Sequence, residues 1–268
     1  MRIGFIGGGT MAEAILSGVL ERELASAEDI AVAEVIERRR EYLSERYGVV
    51  VTDDGVAAAQ HGSLALLAVK PQDLPKAMEG LRKSLSEEQA ALSIVAGATI
   101  KSISRGLDHD SIVRIMPNTP AQIGAGVSVW TATDKTPPER VEETRELLQA
   151  IGKEVYVPSE KYVDMATGLS GSGPAYVFLF IEALTDAGVQ VGLSRDIAAT
   201  LATQTVLGSA QLLQQSGRHP AELRNAVTSP GGTTAEGLLS LESNRFRAAV
   251  MEAVEAAYEK AVQLGEED

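Results

Sequence analysis

Arg2-Ile3-Gly4-Phe5-Ile6-Gly7-Gly8-Gly9-Thr10-Met11-Ala12 is the stretch that decides the fold. An apolar run of strand length, residues 2–6, meets three glycines and passes into Ala12-Glu13-Ala14-Ile15-Leu16, which has helical spacing. This is G-x-G-x-x-A between a strand and a helix, the context that the dinucleotide fingerprint requires. Gly7 is expected to permit the tight turn, Gly9 to let a pyrophosphate approach the backbone, and Ala12 to keep the helix close to the sheet. A glycine-rich turn without a ligand is the alternative.

Working outward, a second strand is expected over residues 30–33, ending at Glu34, which is 22 residues beyond Ala12. An acid about 20 residues on binds the ribose hydroxyls of NAD, whereas a nearby arginine accommodates the 2′-phosphate of NADP. Both signals are present, because Arg38, Arg39 and Arg40 open the next helix. The triplet is either a solvated helix face or a phosphate contact. Strands are expected over residues 49–52 and 64–69, separated by a short helix over 55–60. The second of these ends in Ala68-Val69-Lys70-Pro71-Gln72, where the proline stops the strand and starts a helix. Lys70 and Gln72 then fall at the carboxyl edge of a parallel sheet, where doubly wound folds bind ligands. Further strands are expected over residues 91–95 and 111–116, with a helix starting near Thr99. The loop Pro117-Asn118-Thr119-Pro120 either offers an amide and a hydroxyl to a polar ligand such as a nicotinamide carboxamide, or only closes a turn. Strands over residues 127–131 and 154–157 flank a helix over 138–151, and the alternation then stops.

From Glu160 onward the apolar residues fall at helical spacing. Pro174 is expected at the first position of a helix that runs through Tyr176-Val177-Phe178-Leu179-Phe180-Ile181, apolar nearly all round. A helix without a polar face is buried on all sides, commonly by a second subunit, the alternative being a compact monomeric bundle. Long helices are expected over residues 194–216, where Gly208 and Ser209 allow close approach, and over 244–264. Between them, Thr228-Ser229-Pro230-Gly231-Gly232-Thr233-Thr234-Ala235-Glu236 interrupts the pattern. Thr233 and Glu236 have the spacing of a capping box, which would occupy the Thr233 hydroxyl and leave that of Thr234 free. The Gly-Gly backbone and the helix start behind it suit a carboxylate or phosphate, the alternative being a helix-loop-helix connection with ordinary capping.

Composition narrows the classes. The chain is 268 residues long, 44% hydrophobic and 23% charged, with a net charge of -13. That balance argues against a nucleic-acid surface. There is no cysteine, and His61, His109 and His219 are scattered, so no metal set is expected. The N-terminus has no cleavable signal pattern and no apolar run reaches membrane-spanning length. No membrane partner and a cytoplasmic location are expected.

The motifs together resemble the pyrroline-5-carboxylate reductase family over essentially the whole chain. The resemblance rests on the dinucleotide turn, on Ala68-Val69-Lys70-Pro71-Gln72, on Met116-Pro117-Asn118-Thr119-Pro120 and on Leu169-Ser170-Gly171-Ser172-Gly173-Pro174-Ala175-Tyr176. Above all it rests on Val227-Thr228-Ser229-Pro230-Gly231-Gly232-Thr233-Thr234. It implies an α/β Rossmann-type dinucleotide-binding domain over residues 1–158, followed by an all-α helical dimerisation and substrate-binding domain over 159–268. It also implies NADPH or NADH as cofactor, reduction of the cyclic imine 1-pyrroline-5-carboxylate to proline, and an interlocked homodimer often assembled into a homodecamer. The cofactor would be held by Gly7, Gly8, Gly9, Thr10, Met11, Glu34, Ala68, Val69, Lys70, Pro71 and Asn118. The substrate would be held by Ser229, Gly231, Gly232, Thr233 and Thr234, with Thr234 hydrogen-bonding the ring nitrogen as the candidate catalytic residue. Many members carry small hydroxyl or basic residues where this chain has Glu34, which leaves NADH against NADPH open.

Two rivals of other kinds are a hydroxyacid dehydrogenase of similar build and a protein that senses the nucleotide without turnover. The former carries a catalytic lysine followed four residues later by asparagine. After residue 158 this chain has only Lys161 and Lys260, and neither is so followed.

Overall fold

The structure, a computed structural model, describes residues 1–266. In chain order the first part runs β1 (Ile3–Ile6), α1 (Thr10–Glu21), β2 (Ile30–Ala33), α2 (Glu37–Tyr47), β3 (Val50–Thr52), α3 (Gly55–His61) and β4 (Leu64–Leu67). It continues with α4 (Leu74–Leu81), β5 (Ala90–Ser93), α5 (Ile100–Leu107), β6 (Ile112–Met116), β7 (Gly126–Ala132), α6 (Pro138–Ala150), β8 (Gly152–Tyr156) and α7 (Glu160–Ala166). The eight strands form one sheet in the order β3-β2-β1-β4-β5-β6-β7-β8, parallel except where β7 runs against β6. This is the doubly wound arrangement, and its strand order reverses between β1 and β4.

Side-chain alternation along the strands divides the sheet into a large-residue face and a small-residue face. Ile3, Phe5, Ile30, Val32, Leu64 and Leu66 join one buried cluster with α1 and α6, while Ala31, Ala33, Ala65 and Ala91 join the other with α3, α4 and α5. The small face lets α3 come close: a Cβ on Gly4 of β1 would lie 2.0 Å from the Ala58 carbonyl oxygen. Helix starts follow local chemistry. Thr99 caps α5 by accepting the Ser102 N–H at 3.0 Å, and Asp54 caps α3 by accepting from Val56 and Ala57.

The remaining helices are α8 (Gly173–Gln190), α9 (Arg195–Ser216), α10 (Pro220–Ala226), α11 (Thr233–Ser243) and α12 (Phe246–Glu266). The expected start at Pro174 is not a fresh one. Residues Thr167–Gly171 continue from α7 as a π-helical turn, closed by the Ser172 N–H on the Thr167 carbonyl at 2.9 Å, and α8 begins at Gly173. Close approach of α8 and α9 falls at Gly188 and Ala198, where a Cβ on the glycine would meet Ala198 Cβ at 2.8 Å. Among the described residues, a Cβ on Gly208 would have only Gln204 of the same helix within 4 Å.

Packing divides the chain at a place other than where the strand–helix alternation ends. One compact unit is Met1–Ser172 together with the end of α12 from Ala256, and the other is Gly173–Glu255. The reason α7 belongs with the sheet is Arg114 of β6, only 2% exposed. It donates to Glu160 at 3.0 Å and Asp164 at 2.5 Å, both on α7.

Candidate functional site

In the first unit, the turn after β1 lies at the switch point. Gly7 has φ +102° and donates its N–H to the Ala33 carbonyl at 2.8 Å, and a Cβ there would sit 2.7 Å from the Ala68 carbonyl oxygen. Only glycine suits that backbone, so the tight-turn role follows from conformation and crowding together. Gly9 is the N-cap of α1 and has no side-chain cap, leaving the first-turn N–H groups of Thr10, Met11 and Ala12 without intrahelical partners. Among the described residues, chain neighbours aside, nothing lies within 4 Å of a Cβ placed on Gly9, which leaves room for a pyrophosphate at the helix start. Ala12, buried at 3% exposure, seats α1 on the sheet. These residues fit a dinucleotide. Across the switch point, Ala68 donates to the Ile6 carbonyl at 2.9 Å, Val69 is half-buried, and Lys70 stands exposed before the 3-10 turn Pro71–Asp73.

Asn118 performs the turn-closing role. Its Oδ1 accepts the Val127 N–H at 2.9 Å and its Nδ2 donates to the Ser170 carbonyl at 3.2 Å, so one amide N–H is left for a ligand. The same side chain ties the loop after β6 to the π-helical turn. Arg114 reinforces that tie from two residues before the end of β6, and Glu160 also accepts the Ile100 N–H at 2.9 Å. Sequence reading missed Arg114. The available signal was a charge in the middle of Ile112-Val113-Arg114-Ile115-Met116, a strand otherwise apolar and buried throughout.

In the second unit, Ser229 accepts the Gly232 N–H at 3.0 Å across Pro230 and Gly231, and Gly231 has φ +67°. Proline and then a left-handed glycine at the two central positions make a type II turn. The expected capping box is not formed. Helix α11 begins at Thr233 with Gly232 as its N-cap and no side-chain cap, because the turn delivers the chain one residue earlier than a Thr233 cap requires. Among the described residues the hydroxyls of both Thr233 and Thr234 are left without a hydrogen-bond partner, rather than that of Thr234 alone. The Gly232 N–H is taken by Ser229, so the donors open to an anion are those of Gly231, Thr233, Thr234 and Ala235.

Comparison with known proteins shows the family. A family profile described as pyrroline-5-carboxylate reductase dimerisation matches residues 160–264, beginning at the first residue of α7, and one described as NADP oxidoreductase, coenzyme F420-dependent, matches residues 2–97. The pyrroline-5-carboxylate reductase of Synechocystis is 44% identical over 265 residues, covering 99% of this chain and 98% of that protein. The chain belongs to the pyrroline-5-carboxylate reductase family. The solved pyrroline-5-carboxylate reductase of Coxiella burnetii superposes with a TM-score of 0.90 at 34% identity, covering 98% of each chain. The pyrroline carboxylate reductase of Plasmodium falciparum, solved with NADP bound, gives 0.90 at 32% identity, covering 99% of this chain and 98% of that one.

This family member is therefore an NAD(P)-dependent oxidoreductase. Beside its dinucleotide turn lies a polar cluster that sequence reading left undrawn. Glu13 of α1 accepts from Arg39 at 2.6 Å, Tyr42 at 2.9 Å and Tyr47 at 2.8 Å. Burial pushes the Glu13 carboxyl upward, but hydrogen bonds from Arg39, Tyr47 and Tyr42 outweigh it and hold the group below its ordinary 4.5. A carboxyl depressed in the fold stabilises above its unfolded pKa, and that contribution disappears as pH falls through the lower folded value. Denaturant midpoints measured from neutral pH down to about pH 3 should therefore fall less steeply below the ordinary carboxylate range in Glu13→Gln than in the parent. Parallel curves would remove Glu13 from the acid response. Among the described residues no helix is long and apolar enough to cross a membrane.

Proposed function

We propose that the chain reduces 1-pyrroline-5-carboxylate to L-proline with NADPH or NADH, the last step of proline biosynthesis, in the cytoplasm. The observation that carries this reading is the Ser229–Thr234 turn. Its two uncommitted hydroxyls and open N–H groups follow a proline and a left-handed glycine, in a chain whose other unit has an open dinucleotide turn. The N–H groups of Gly231, Thr233, Thr234 and Ala235 hold the substrate carboxylate, aided by the positive end of α11. The Ser229 carbonyl fixes the turn by accepting the Gly232 N–H. The Thr234 hydroxyl accepts from the protonated ring nitrogen and orients it. A threonine hydroxyl is too weak an acid to protonate that nitrogen alone, so water delivers the proton. On the other unit, the Gly7–Met11 turn and the Ala68–Pro71 edge hold the dinucleotide, with Glu34 at its ribose. A reduced nicotinamide, when bound, supplies the hydride for the electrophilic carbon of the C=N bond. The protein's contribution is position and exclusion of competing geometry. A reduced nucleotide carrying deuterium at both C4 positions tests the transfer directly: proline recovered from the reaction should carry one deuterium at the former imine carbon, and unlabelled proline would contradict it.

The same reading gives the second unit its partner, a second copy of the chain in an interlocked homodimer that assembles further into a decamer. Within one chain, α8 leaves Phe178 63% and Leu179 65% exposed, and Ile197, Leu201 and Leu212 of α9 are exposed as well. Apolar area on that scale calls for a covering surface. Sedimentation of Phe178→Glu/Leu179→Glu should give the mass of a single chain, where the parent gives at least twice it. An unchanged mass would move the interface elsewhere.

A further inference from the structure

The charged residues around the dinucleotide turn are arranged more specifically than the fingerprint requires. Both carboxylate oxygens of Glu34 are held by backbone: Oε2 accepts the Gly8 N–H at 3.0 Å and Oε1 accepts the Ile36 N–H at 2.9 Å. The negative charge is thus fixed at the carboxyl end of β2, where the adenosine ribose of a dinucleotide falls. A cation is needed there to admit a 2′-phosphate, and the three neighbouring arginines differ in what they can offer. Arg39 donates Nε to the Gly8 carbonyl at 2.7 Å and Nη2 to Glu13 at 2.6 Å, and its guanidinium lies 4.9 Å from the centre of the Tyr42 ring. Arg40 donates to the Glu34 carbonyl at 2.6 Å. Arg38 is exposed. Glu13, in the first turn of α1, is itself fixed by Tyr42 and Tyr47 and also has Arg46 at 3.9 Å.

We propose that Glu13, acting through Arg39, is a specificity-determining residue: it holds the one arginine already seated against the dinucleotide turn away from a 2′-phosphate. Together with the fixed Glu34 carboxylate, it makes the pocket select NADH over NADPH. The inference rests on the reading of Gly7–Met11 as a dinucleotide site. Its logic is that of charge neutralisation. An arginine whose charge is balanced by a carboxylate at hydrogen-bond distance, with two donors spent, gives a dianion little, and the Glu34 carboxylate repels it. Arg40 does not compensate, because its guanidinium donates to the Glu34 carbonyl, whereas Arg38 is exposed and is fixed at the turn by no hydrogen bond among the described residues.

The test is equilibrium binding, read by the fluorescence of NADH and NADPH and by their displacement with 5′-AMP and 2′,5′-ADP, which differ only at the 2′ position. The parent should bind NADH more tightly than NADPH and 5′-AMP more tightly than 2′,5′-ADP, by at least roughly tenfold. Glu13→Gln keeps the acceptor for the tyrosines and removes the charge. It should strengthen 2′,5′-ADP by about tenfold with 5′-AMP nearly unchanged. Glu34→Ser should strengthen 2′,5′-ADP and weaken 5′-AMP. Arg39→Gln alone should leave 2′,5′-ADP binding as it was, and placed on Glu13→Gln should erase the gain. Thermal unfolding at neutral pH identifies any variant that fails to fold, and the Arg39→Gln measurement decides the matter without Glu13 being changed. Loss of 2′,5′-ADP affinity in Arg39→Gln alone would overturn the proposal, since the arginine would then already serve the phosphate. Tighter 2′,5′-ADP than 5′-AMP in the parent would overturn it too, while leaving the reductase reading intact. No binding of any of the four nucleotides would sink the dinucleotide site and the proposal together.

Discussion

Glu160→Gln combined with Asp164→Asn should lower unfolding stability by about 3 kcal/mol, the lower end of what removing the partners of a buried charge costs. The cost arises because Arg114 is 2% exposed and its guanidinium donates to both carboxylates, so the double change leaves a cation in the sheet without a counter-charge. The lower end applies because Glu160 is 34% exposed and water can reach that side of the cluster. Adding Arg114→Met should recover most of the loss, since it removes the buried cation that the double change leaves without a counter-charge. Urea unfolding of the parent, the double and the triple variant reads this out. A triple variant as unstable as the double would show that the loss is one of packing and not of charge.

Turnover of Thr234→Ala should fall by roughly 10- to 100-fold in kcat, the worth of one hydrogen bond to a charged group. Nucleotide affinity should stay nearly unchanged, because the role assigned to the Thr234 hydroxyl is to orient the imine and not to hold the nucleotide. Thr234→Ser should restore much of the rate by keeping the hydroxyl. Thr233→Ala is the internal comparison, since both hydroxyls are uncommitted within the chain. Equal losses at the two positions would make Thr234 no more than one of a pair that holds the substrate, and an unchanged kcat in Thr234→Ala would remove its orienting role.

How much could be read before the structure depended on the range of the interaction. The second strand is bounded at Ile30 and Ala33 as expected, since Ile30-Ala31-Val32-Ala33 is a short apolar run ended by a charge. Gly7 and Ala12 carry local requirements, a left-handed backbone and a small side chain, which show in the sequence itself. The helix start expected near Thr99 is likewise decided within four residues, by the Thr99 side chain accepting the Ser102 N–H. The Thr233 cap failed for a reason equally local but finer: the Ser229–Gly232 turn decides which residue enters the helix first, and capping-box spacing does not encode it. The long-range contacts were out of reach. Arg114 meets partners 46 and 50 residues away, and Arg39 meets Glu13 26 residues back. The arginine triplet reads as three equivalent charges in the sequence, whereas only the fold shows that Arg39 is neutralised and Arg40 turned to the backbone. The place where packing divides the chain was hidden for the same cause, because it follows from Arg114 holding α7 against the sheet.

The most direct measurement is loss of nicotinamide absorbance by the purified protein with 1-pyrroline-5-carboxylate, run side by side with NADH and NADPH and matched to proline formed. The account predicts turnover with one proline per nucleotide oxidised, and faster saturation with NADH. Folded protein that binds the nucleotide and yet oxidises neither in the presence of the imine would contradict it.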